Sequence, residues 1–139
     1  MNTRALWMAL AIVTIASPTA AVRPHITAAV TKVFRTDAVA AYRLIEPICG
    51  TTLNPDLLKR YEPLDARLTA LGARTTGTPF YAILIEAKRN HDGLAAVVDC
   101  ARPVDKPDTV AYVEKDLAAA DLTLSRMEQT VARYAPQKG

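Results

Sequence analysis

The chain is short of the residues that most site chemistries need. It has 139 residues with two cysteines, two histidines, one tryptophan and 6% aromatics. No C-x-x-C-H occurs, which excludes covalently attached c-type haem. No Glu-x-x-His occurs either, and a ferritin-like di-metal site needs that pair on facing helices. The phosphate-cradling patterns G-x-G-x-x-G and G-x-x-x-x-G-K are absent, as are H-E-x-x-H and G-x-S-x-G. No histidine or third cysteine stands at ligand spacing from Cys49 or Cys100. Non-covalent haem would have to draw its axial ligands from His25, His91, Met127 and Met8. The expectation is a protein without cofactor or metal, and not an enzyme.

Charge excludes a further class. The formal charge is +3. Removing the N-terminal segment takes Arg4 away and leaves sixteen basic against fourteen acidic side chains. A net charge of about +2 is no electrostatic footprint for nucleic acid. Arg60, Arg67, Arg74, Lys88 and Arg89 bias the middle of the chain, but interleaved acids make it a mixed surface.

What the chain does have begins at its start. Residues 1–4 form a short positive region, residues 5–16 are apolar, and Ser17-Pro18-Thr19-Ala20-Ala21 supplies the small residues of a cleavage site. This is the pattern of a secretory signal peptide over residues 1–21, with a run too short to span hydrocarbon comfortably. The expected location is periplasmic or secreted, with no transmembrane segment in the mature chain and a single domain over residues 22–139. An oxidising compartment favours one disulfide between Cys49 and Cys100. It closes a loop of roughly fifty residues, worth about 4 kcal/mol in the chain-entropy treatment.

Apolar residues recur at steps of three and four along nearly the whole mature chain, the spacing of a helix face. Phe80, Leu84, Ala87, His91, Leu94, Val98 and Ala101 form one unbroken seam. It crosses Asp92-Gly93, so residues 79–102 read as one helix despite a glycine that costs about 1 kcal/mol. Val30, Phe34, Ala38, Ala41, Ile45 and Ile48 mark a first helix over about 26–49, which Thr36-Asp37 could break by capping. Asn54-Pro55-Asp56 opens a second over about 55–72, with Leu57, Tyr61, Leu64, Leu68 and Leu71 on its seam. Pro63 should kink it near residues 59–61 or divide it at Glu62, and Gly72 suits a left-handed cap. The last, over about 108–134, carries Val110, Val113, Leu117, Ala120, Leu124, Met127, Val131 and Tyr134.

Four amphipathic helices with short connections imply an all-α, antiparallel up-down four-helix bundle. The first and third helices would then run parallel on a diagonal, with Cys49 and Cys100 at one end. Diagonal helices stand farther apart than a disulfide reaches, so Pro47 would have to bend the first helix inward.

Two candidate sites follow. His91 is the one ionisable residue on an apolar seam, and counting outward from the loops brings Tyr61 and small Ala120 to its level. The expected buried polar layer is Tyr61 with His91, hydrogen-bonded to each other or to water. Tyr81 and Ile85 lie off the seam one turn apart, and Val39 and Tyr42 do so on the first helix. A helix apolar on two faces is central or meets a partner. Tyr81 and Ile85 are therefore the candidate partner patch, for another protein or a second copy. The functional expectation is a non-enzymatic binding or interaction module. The alternative is a bundle that takes a small apolar ligand or metal near His91.

Overall fold

The computed structural model describes residues 25–47, 54–98 and 110–134. The signal segment, Cys49 and Cys100 lie outside these residues. The described residues are helical, with no strand among them, and form four rods. Helix α1 spans Ala28–Ile45; α2, Pro55–Leu58, runs through a 3-10 turn at Lys59–Tyr61 into α3, Glu62–Arg74; α4 spans Pro79–Val97 and α5 Val110–Tyr134.

Local chemistry sets most of the boundaries. Thr27 starts α1, its Oγ1 accepting from the Val30 amide at 3.3 Å. The helix runs unbroken through Thr36 and Asp37; the Thr36 hydroxyl bonds back to the Lys32 carbonyl rather than capping a new helix. It ends at Ile45, four residues short of the expected end. Glu46 precedes Pro47, a position that disfavours helical backbone, and takes φ −115° and ψ 73°. Asn54 caps α2 through the Asp56 amide at 2.8 Å, with Pro55 in the first turn. The Pro63 effect falls where spacing puts it: three residues tighten into the 3-10 turn, and the backbone stays right-handed through Glu62.

Two expected ends move. Gly72 lies inside α3, and the left-handed residue is Gly77 at φ 81°, in the turn between α3 and α4. Fully buried Thr75 ties that turn together: its carbonyl accepts from both the amide and the hydroxyl of Thr78. Helix α4 passes through Gly93 as expected but stops at Val97, short of residue 102. Its seam is buried at Phe80, Leu84, Ala87 and His91, whereas Leu94 and Val98 are exposed. A last turn that buries nothing has little to hold it helical.

Helix α1 is the central rod, packed along α4 on one side and α5 on the other; α3 lies along α5, with a smaller contact to α1. Phe34 meets Phe80 near the starts of α1 and α4, and Glu46 at the end of α1 meets Lys88 midway along α4, so these two run in the same direction. Asp37 with Arg126 sets α1 antiparallel to α5. Tyr61 with Asp116 and Arg67 with Glu128 set α3 parallel to α5.

The expected diagonal is corrected by these contacts: α1 and α4, the first and third predicted helices, are direct neighbours. The cause is the width of α1's apolar arc. Tyr42 and Ile45 are buried beside Phe34, Ala38 and Ala41, enough surface for two partner helices. The core joins these to Leu64, Leu68, Leu71, Phe80, Ile83, Leu84, Leu124 and Met127. Each fully buried large aliphatic or aromatic side chain contributes about 1.5–3 kcal/mol by leaving water.

Candidate functional site

The polar end of the α1–α4 interface gathers titratable side chains from three helices. Helix α1 delivers Tyr42 from its last turn and Glu46 from its cap, and α4 delivers Lys88, His91 and Asp92 over one turn. Asp65 comes from α3 and lies close enough to the Glu46 carboxyl to raise its pKa. The Lys88 ammonium stands 3.7 Å from Glu46, 3.6 Å from Asp92 and 5.9 Å from the centre of the Tyr42 ring. One cation thus contacts two carboxyls and the face of a phenol ring, with a third carboxyl, Asp65, close to Glu46.

The electrostatics follow from that imbalance. Burial pushes the Tyr42 phenol up to about 12, and the charges of Glu46, Asp92 and Asp65 add to the shift. The Glu46 carboxyl is held above its ordinary value by burial first and by neighbouring Asp65 second, with Lys88 opposing. A like charge close by disfavours the ionised form.

His91 is 8% exposed, and its Nδ1 is buried without a hydrogen-bond partner among the described residues. Its neighbour is Tyr42, ring centres 6.3 Å apart and tilted by 32°. The expected Tyr61–His91 bond is corrected here. Tyr61 is buried, but in a separate small cluster with Val113, and its hydroxyl donates to Asp116 Oδ2 at 2.9 Å. Burial and that bond hold the Tyr61 phenol protonated far above the ordinary tyrosine range. The level count took the Tyr61 seam to face α4, whereas the rod that carries it packs on α5. Ala120, expected in the same layer, is fully buried in the main core.

Tyr81 and Ile85 are 40% and 38% exposed, one turn apart on α4. Of the matching off-seam pair on α1, Val39 is exposed and Tyr42 buried. Neither Tyr81 nor Ile85 is taken into the described core, and each remains accessible at the surface.

Two polar clamps went unread in the sequence. Asp37 is buried on α1, and Arg126 of α5 donates to its Oδ1 at 3.0 Å. Arg67 of α3 donates to both Glu128 oxygens and to Asp121 and Ser125, all on α5. The second had a signal: Asp121, Ser125 and Glu128 recur at steps of four and three, one polar stripe beside the seam. These clamps fix α5 against its two neighbours. Among the described residues, no group of three or more His, Cys, Asp or Glu is placed to hold a metal ion, and no helix is long and apolar enough to cross a membrane.

Comparison with known protein families, with curated proteins and with solved structures finds no match to this chain.

Proposed function

We propose that this chain is an exported up-down four-helix bundle that acts as a non-enzymatic binding module in the cell envelope or outside it. The observation that carries the reading is the exposed pair Tyr81 and Ile85, held rigidly on a helix whose opposite face is committed to the core. A tyrosine beside an aliphatic side chain on a fixed helix is a suitable anchor for a protein partner. The signal-peptide pattern of residues 1–21 supports export. The proposed Cys49–Cys100 disulfide rests on the oxidising compartment that export implies for an even pair of cysteines.

The test places a photo-crosslinking benzoylphenylalanine at residue 81 or, as control, at exposed residue 89, in cells that export the protein. Adducts from position 81 that disappear in an Ile85→Glu background support the reading. Equal labelling from both positions, or a processed chain with two free thiols, contradicts it.

The alternative places a small apolar ligand beside His91. It rests on the unpartnered Nδ1. The metal form of that alternative lacks a ligand set among the described residues.

A further inference from the structure

The charges of the molecule are sorted between its faces. Glu114, Asp121 and Glu128 of α5 are ion-paired with Arg60 and Arg67 of the rod that ends in α3. The α1 side is different. Lys32, Arg35 and Arg43 line one outward face of α1 and make no ion pair among the described residues. The two acids of this segment are engaged elsewhere, Asp37 with Arg126 and Glu46 with Lys88. Between the three cations stand Thr36, Val39 and Ala40, small or aliphatic residues lining a shallow depression. A second shallow depression, along the α1–α5 boundary, is lined by exposed Val33 and by Arg133.

We propose that this α1 face is a docking surface for an anionic phospholipid membrane. Lys32 to Arg43 covers roughly 17 Å of helix, at about 1.5 Å per residue. The cations are dispersed point charges on a convex face, and neither depression encloses a partner. A bilayer meets such a face with many equivalent, mobile anions and needs no register, whereas an acidic peptide needs a groove and a fixed spacing. Val39 stands among the charges and exposed Val33 lies at their edge, so aliphatic contact can add to headgroup attraction. Association is peripheral and salt-sensitive, because the attraction falls off within a Debye length. The choice of a membrane over another polyanion rests on the proposed export. The test uses purified protein, so its failure leaves the export reading standing.

The experiment is co-sedimentation of the processed chain with phosphatidylglycerol-containing vesicles, with phosphatidylcholine vesicles, and with immobilised polyglutamate. Binding to the anionic vesicles, at least about tenfold stronger than to neutral ones and lost on raising salt, is expected. The variant K32E/R35E/R43E loses about tenfold or more of that binding, whereas K59E/R74E/R89E, with the same change in net charge on other faces, stays within about twofold. Circular dichroism checks that both variants fold. Equal binding to neutral vesicles, equal loss in the two variants, or capture by polyglutamate without vesicle binding overturns the proposal.

Discussion

The interface between α1 and α4 is built in two ways along one pair of helices. Near its start, Phe34 packs on Phe80 with ring centres 4.6 Å apart, both rings buried. About two turns on, Tyr42 faces His91, and Lys88, Glu46, Asp65 and Asp92 gather round them. The helices and their direction are the same, so the difference lies in what the side chains exchange for water. The apolar end gains from every group it buries. The polar end offsets burial with hydrogen bonds and charge pairs, and leaves the imidazole Nδ1 unpaired. The apolar end should carry the stability of the pair, and the polar end should answer to pH.

The largest test breaks the apolar end. Phe34→Ala should cost about 3–5 kcal/mol, because a fully buried ring leaves a cavity that rigid neighbours close only in part. Urea unfolding measures it. A loss below about 1 kcal/mol would mean that this layer is not the anchor.

Next comes the clamp between the two ends. Arg126→Ala leaves the Asp37 carboxylate buried and unpaired, at a cost of about 1–3 kcal/mol. The guanidinium itself is half exposed, which keeps the loss below that of a fully buried pair.

The parts of this picture that spacing revealed are those that depend on one helix at a time. The buried seams of α3 and α5, the passage of α4 through Gly93 and the tightening before Pro63 all follow from local periodicity and backbone chemistry. What spacing did not reveal depends on which helices are neighbours. Tyr42 lies off the heptad seam yet is buried, because α1 has a partner on each side. Tyr61 lies on its seam yet turns to Asp116, because its rod packs on α5. A loop count gives height along a bundle; it does not distinguish a neighbour from a diagonal. The polar end was legible only in His91, since no spacing along one helix joins Glu46, Asp65 and Asp92 before three helices bring them together.

His91→Leu sharpens the contrast in the opposite direction. It removes the unpartnered imidazole from a buried position and should change stability by no more than about 1 kcal/mol, with stabilisation the expected sign. A large loss would show that the imidazole holds a partner through its other nitrogen.

The smallest effect concerns pH. The folded value of Glu46 lies above its unfolded value, so the folded chain retains that proton more readily. Its contribution is fully present below the ordinary glutamate value of about 4.3 and is lost as pH rises through the higher folded value. Glu46→Gln keeps a hydrogen-bonding group and does not titrate. Relative to the parent it should gain a few tenths of a kcal/mol between acidic and neutral pH, the Lys88 contact trimming the gain. Urea midpoints at several pH values read the difference, and a flat difference would contradict the raised Glu46 value.

The most direct measurement is native-state hydrogen exchange followed along α1 and α4 at two pH values, one on each side of the Glu46 titration. Amides from Phe34 to Ala41, and from Ile83 to Ala87, should open only with global unfolding at both pH values. Those from Tyr42 to Ile45, and from His91 to Val97, should open at lower free energy and loosen further at the higher pH. Uniform protection along both helices, unchanged between the two pH values, would contradict the division of this interface into an apolar anchor and a polar, adjustable end.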